Sequence, residues 1–161
     1  MKDEMEYKND FFSFIQAICR HDLEYAVENS HSIPRLSKIV SEDMTLLTMA
    51  IEMGDYEMTK LLLENGADIN AQCSKGWTAL HHAIELAIEQ RDQSYDEQGL
   101  LRSVDISLIQ LLFQYHPNLD IKYYANPSLP GELAIDMVYD WSEFDELVKK
   151  ERQWQKQNRH F

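Results

Sequence analysis

The adjacent pair His81-His82, with Glu85 four residues after His81 and Cys73 a short way upstream, is the one cluster whose residue types suit a chemical site. Read as a metal centre, it would need three or four converging ligands, and His81 with Glu85 at i, i+4 does share one face of a helix. The competing reading is a histidine held by a partner for structural reasons, which is the commoner case where ligands do not converge. His21, His31, His116 and His160 are scattered along the chain. No G-x-x-x-x-G-K, G-x-G-x-x-G or nucleophile elbow occurs, and the five glycines fall at turns. Carboxylate pairs are so abundant here that any two of them assign no acid and base roles. The sequence therefore assigns no catalytic residue, no metal and no cofactor, and a metal-dependent enzyme at His81, His82 and Glu85 is kept only as the remote alternative.

Composition bounds what such a cluster can belong to. A chain of 161 residues fits one domain, and 44% apolar with 11% aromatic residues is globular composition. Fifteen Lys and Arg against 28 Asp and Glu leave a formal charge of −13. That field repels phosphate backbones and anionic membranes and steers in a basic protein. Met1 to Asp10 lacks the apolar stretch of a signal peptide and no run reaches transmembrane length, so a cytoplasmic location is expected. Cys19 and Cys73 are too few for a disulfide framework and are expected to be reduced.

The positioning elements emerge from periodicity. Residues 45–70 read TLLTMAIEMGDYEMTKLLLENGADIN, and TALHHAIEL begins again at Thr78, 33 positions after Thr45. Thr45, Leu47, Ala50, Gly54, Asp55, Leu62, Leu63, Gly66, Ala67, Asp68 and Asn70 fall where the ankyrin pattern puts them, and this stretch resembles the ankyrin repeat. The same step backwards reaches Phe12 and sets Phe14, Ala17 and Asp22 opposite Leu47, Ala50 and Asp55, a degenerate first repeat. A fourth repeat starts at LAIDMV, with Ile135, Asp136 and Val138 matching Leu80, His81 and Ala83.

The expected fold is all-α: an ankyrin-repeat solenoid of stacked helix-turn-helix units with short hairpin loops and capping helices. Repeats are placed at about 10–40, 41–73, 74–122 and 123–145 within a single domain, 1–161. Thr45 and Thr78 can cap helix starts, Gly54 and Gly66 end helices where positive φ is cheap only for glycine, and Gly76 with Asp68 and Asn70 suits a hairpin turn. No unit encloses its own core, so Leu61, Leu62, Leu63, Leu111 and Leu112 are expected to pack between layers.

Two segments depart from the repeat. Residues 87–103 interrupt the third unit as an insertion, whose first part, IELAIEQRDQ, extends the preceding helix. The tail EFDELVKKERQWQKQNRHF is helical by propensity, with Phe144, Leu147, Val148 and Trp154 toward the stack, and is read as a capping helix over 143–158. Docking of that helix into a partner's groove is the alternative.

The resemblance implies that His81 bonds to backbone between repeats; His82 is expected to be exposed. It also implies partner contacts at hairpin tips and on the exposed face of each first helix. On this sequence those positions are Met44, Glu52 and Met53 in the second repeat, Ser74, Lys75, Trp77, Glu85 and Leu86 in the third, and Glu132, Asp140 and Trp141 in the fourth. Together they make an acidic groove with aromatic anchors, Trp77 first among them, unless Trp77 folds over the neighbouring hairpin as core and Trp141 closes the cap. The function expected is protein binding without catalysis. The leading form is an acidic inhibitor that neutralises a toxin or other basic protein, as bacterial immunity proteins of ankyrin type do. An adaptor or scaffold in a multi-protein assembly is the alternative.

Overall fold

The computed structural model describes residues 4–38, 44–93, 104–124, 131–138 and 141–158, with the backbone alone for 4–8, 92 and 93. Its helices are α1 (Glu4–Arg20), α2 (Leu23–Glu28), α3 (Ile33–Leu36), α4 (Leu46–Glu52), α5 (Tyr56–Glu64), α6 (Ala79–Gln93), α7 (Ser107–Gln114) and α8 (Ser142–Asn158). A two-residue antiparallel ladder joins β1 (Lys122–Tyr123) to β2 (Glu132–Leu133).

Equivalent residues do equivalent work 33 positions apart. Asp22 and Asp55 each cap the second helix of their unit, accepting Tyr25 N–H at 2.9 Å and Met58 N–H at 3.0 Å. Their own N–H groups return to Ala17 and Ala50 carbonyls at 2.8 and 3.0 Å, closing the turn between helices. That turn needs a left-handed residue, supplied by Gly54 (φ 67°) in one unit and by His21 (φ 53°) in the other. At the exits of α5 and α7 the same substitution recurs, with Gly66 at φ 83° and His116 at φ 53°. Asp68 and Asn118 then each accept the N–H two residues on, at 2.9 and 3.0 Å, and the Asn70 side chain takes the Asn118 N–H at 2.8 Å, tying successive hairpins together.

First helices stack in one row, α1 on α4 on α6 on the 3-10 turn Ala134–Met137, and second helices in another, α2 on α5 on α7 on α8. The apolar stripe of every helix is thereby shared between layers: Phe14, Leu36, Leu47, Ile51, Met58, Leu62, Ile84 and Leu112 are all buried. Each such side chain contributes roughly 1.5–3 kcal/mol relative to exposure. Leu63 and Leu111 are buried with them, and Leu61 is partly so.

Three unit starts share one device. Thr45 N–H donates to Thr48 Oγ1 at 2.8 Å, Thr78 N–H to His81 Nδ1 at 3.2 Å, and Leu133 N–H to Asp136 Oδ2 at 3.3 Å. The fourth unit keeps this cap, yet its helix stops after a single 3-10 turn, with Val138 already extended at φ −120°, ψ 130°. Ahead of it, a Cβ on Gly131 would lie 2.6 Å from the ring of exposed Tyr124, so a larger residue there would displace that ring.

The extra residues of the third unit begin as helix. Ala87 is buried and α6 runs on to Gln93, as the helical pattern of IELAIEQRDQ implies; residues 94–103 of the insertion lie outside the described residues. At the C-terminus α8 lies on α7 through Phe144, whose ring meets Phe113 edge-on at 6.2 Å. It is fixed further by His116 Nδ1 to Glu151 Oε2 at 2.9 Å and Arg152 to Asp120 at 2.6 Å.

Candidate protein-binding face

The histidine pair sorts into two roles. His81 is a helix cap: its Nδ1 receives the Thr78 N–H and lies 2.9 Å from the Thr78 hydroxyl, as Thr48 does for Thr45 one unit earlier. Beyond this bond inside its own unit, His81 also interacts with the Glu132 backbone of the next unit, in the direction the resemblance implies. Burial drives the His81 pKa from 6.5 down to about 4, opposed by the nearby Glu132 backbone and reinforced slightly by His82. A neutral imidazole accepting at Nδ1 cannot serve as a charged acid near pH 7.

His82 is not exposed, which corrects the expectation from sequence. It is 7% exposed, because α6 turns it inward against α4, where its Nδ1 bonds the Glu52 carboxylate. This bond spans adjacent layers. Among the described residues no group of three or more His, Cys, Asp or Glu side chains is arranged to hold a metal ion.

Around this pair the structure gathers several of the expected contact residues. Trp77 closes the hairpin that Cys73 N–H makes with its carbonyl at 2.8 Å, and its half-buried ring meets His82 at 5.2 Å, His81 at 6.0 Å and Tyr123 at 5.4 Å. The tryptophan both packs on the next hairpin and retains an accessible edge. Glu85 lies on the same helix as His82. Partial burial pushes its carboxyl up, and the repulsion of Glu89 and Glu52 adds to the push, with His82 and Lys75 pulling the other way. Ser74 and Lys75 are exposed at the hairpin tip.

The remaining expected contacts lie elsewhere. Met53 is 52% exposed but lines a hollow of about 340 Å³ with Ile18, Cys19, His21 and Asp55, between the first two units. Leu86 is partly buried against the core and lines the small cavity with Tyr56, Ala83 and Leu108. Met44 is half-buried, and Glu132 is exposed in β2 opposite Tyr123. Trp141 packs toward the cap, 6.4 Å from the Phe144 ring and under the Arg91 guanidinium at 5.8 Å. Asp140 lies outside the described residues. Tyr123 and Glu89 were not foreseen; Glu89 follows Glu85 by one helical turn, a signal that the sequence did carry.

An all-α stack of paired helices with capped starts, left-handed exits and linked hairpins is the ankyrin-repeat solenoid. Residues 47–85 match the family model described as ankyrin repeats (many copies). A Rickettsia bellii (strain RML369-C) protein whose name describes it as an ankyrin repeat protein is 30% identical over 128 residues, covering 66% of this chain and 47% of the relative. Shorter matches link the chain to an Arabidopsis thaliana ADP-ribosylation factor GTPase-activating protein, 52% identical over 44 residues, and to the Homo sapiens 2-5A-dependent ribonuclease, 41% identical over 49 residues. These cover 27% and 30% of this chain but 5% and 7% of the relatives. The chain thus spans about half of one relative and a small part of the other two. No described helix is long and apolar enough to cross a membrane.

Proposed function

We propose that this chain is a protein-binding module without catalysis, and that its α4/α6 face receives a basic partner. The observation that carries the reading is the gathering of Glu52, Glu85 and Glu89 on one face, where partial burial first and then the repulsion of Glu89 and Glu52 push the Glu85 carboxyl up. A lysine or arginine arriving there relieves that repulsion, so the face favours cations beyond what the formal charge of −13 supplies. Trp77 stands beside it as an aromatic anchor whose ring is already fixed by His82 and Tyr123, which lowers the entropy lost on binding. An acidic inhibitor of a toxin or other basic protein is the form of this function that the charge favours most.

The test is capture of the bound protein from the source cell by the full chain, followed by association kinetics with the purified pair. A basic partner whose on-rate falls about tenfold or more from low to physiological salt is expected. Glu85→Lys should slow association and Trp77→Ala should speed dissociation, the latter by ~2 kcal/mol or more of affinity. A salt-insensitive on-rate, or a partner indifferent to both substitutions, refutes the proposal.

A further inference from the structure

Lys75 is exposed at the hairpin tip, two residues ahead of Trp77, and its charge reaches Glu85, yet the two make no ion pair among the described residues. An ammonium on a flexible stem thus lies within the field of that carboxylate without being held by it. What stands beside the carboxylate is a rigid aromatic surface. The half-buried Trp77 ring is fixed by His81, His82 and Tyr123, the last two meeting it edge-on with planes at 71° and 80°. Glu85 follows His81 by one helical turn and adjoins the ring from the α6 side. From the other side comes Glu132, exposed and paired with Tyr123 in the ladder between β1 and β2. Residues opposite one another in an antiparallel ladder project to the same face, so Glu132 shares the Tyr123 face and Lys122 is turned to the opposite one. The charged neighbours of Glu85 are Glu52 and Glu89 against Lys75 and His82, and His82 is already bonded to Glu52. The seat around Trp77 is left with net negative charge.

We propose that the side chain received at Trp77 is an arginine of the basic partner rather than a lysine, its guanidinium lying against the accessible part of the Trp77 ring with its fork on Glu85 and with Glu132 as the second carboxylate of the seat. This rests on the α4/α6 reading above and adds to it the identity of the partner's anchoring side chain. A partner lysine would meet Glu85 as Lys75 does, as a hydrated point charge that the site does not hold. An arginine brings what lysine lacks: a planar face that stacks on tryptophan, and two parallel N–H donors matched to one carboxylate. Because three rings already immobilise Trp77, the stacking costs little ordering.

The probes are two synthetic peptides of equal charge, acetyl-RGRGR-amide and acetyl-KGKGK-amide, titrated into the full chain and followed by the α6 amide signals and the Trp77 indole N–H signal, the latter assigned with Trp77→Phe. The arginine peptide is expected to saturate with shifts at Trp77 and along α6, and to bind about fivefold or more tightly than the lysine peptide. Trp77→Leu should bring that ratio close to one while changing the lysine peptide by less than about twofold. Glu85→Gln, a change on the helix surface, should weaken the arginine peptide about threefold or more at unchanged helical content. Lys75→Ala should strengthen both peptides by a similar factor, since the resident ammonium no longer competes for Glu85. Equal affinities with shifts at Trp77 and Glu85, or a preference for arginine that survives Trp77→Leu, overturn the arginine assignment and leave the basic-partner reading standing. Shifts from both peptides centred away from α4 and α6, or no saturable binding of either, overturn that reading and the assignment with it.

Discussion

His81→Thr separates the two properties that the histidine combines, a helix cap and a suppressed proton site. Threonine at the same place in the preceding unit, Thr48, accepts the Thr45 N–H, so the substitution keeps the cap and removes the imidazole. Loss of side-chain volume costs ~1 kcal/mol at pH 7, where no proton is at stake. Below pH 6.5 the unfolded imidazole takes a proton while the folded one resists until about pH 4. Stability of the native sequence is therefore lost as pH falls through that window. The full difference corresponds to ~3 kcal/mol as an upper bound, and solvent relaxation beside half-buried Trp77 and Tyr123 brings a working value to ~2 kcal/mol. The two stability curves should cross: the native protein is the more stable by ~1 kcal/mol at neutral pH, and the variant by about the same margin near pH 4. Denaturant unfolding at intervals from pH 7 to pH 4 gives both curves, and the other titrating groups are common to the two proteins. Parallel curves, or a gap that widens in favour of the native protein on acidification, refute the assignment of His81 as a buried neutral cap.

Asp55 both caps α5 and meets His21 at 2.5 Å across the first two layers. Asp55→Ala should cost ~1–2 kcal/mol and Asp55→Asn much less, since the amide oxygen can still cap; equal losses would show that the cap is not the main contribution. Gly66→Ala forces a side chain into φ 83° with its Cβ 3.4 Å from Pro34 Cγ. It should lower stability by ~1–2 kcal/mol, seen as a melting shift of several degrees, and an unshifted transition contradicts the strain argument.

Sequence spacing exposed the stack because its signature residues act locally. Asp22, Asp55, Gly54 and Gly66 each satisfy or shape backbone within a few residues, so their place in the 33-residue register suffices to locate them. Contacts between layers were not legible in the same way. His82 with Glu52 and His116 with Glu151 join residues 30 and 35 positions apart, and no short pattern marks either pair. The one-turn fourth helix escaped for a related reason: Asp136 reproduces the cap of His81 and Thr48, and a cap announces where a helix begins but not where it ends. His21 and His116 in left-handed conformation also carry no composition signal, since glycine is the residue expected there.

The acidic face shares one residue with the architecture, and that overlap decides how its parts can act. Glu52 cannot serve as a free anchor, because a partner cation that took its carboxylate would strip His82 of its bond at Nδ1, and the other nitrogen of that buried ring has no hydrogen-bond partner among the described residues. Glu85 carries no such obligation and is held in a repulsive setting that any arriving cation improves. The charge available for binding therefore resides mainly in Glu85 and Glu89, with Glu52 shaping the field while it holds α4 to α6. Two charge-neutral substitutions distinguish the roles. Glu52→Gln should lower thermal stability by ~1 kcal/mol or more and weaken a basic partner only modestly, whereas Glu85→Gln should leave stability intact or slightly raised and slow association more. Were Glu85→Gln the more destabilising of the two, the carboxylate crowding would be structural, and the face would have to be sought at the hairpin tips around Lys75 and Trp77.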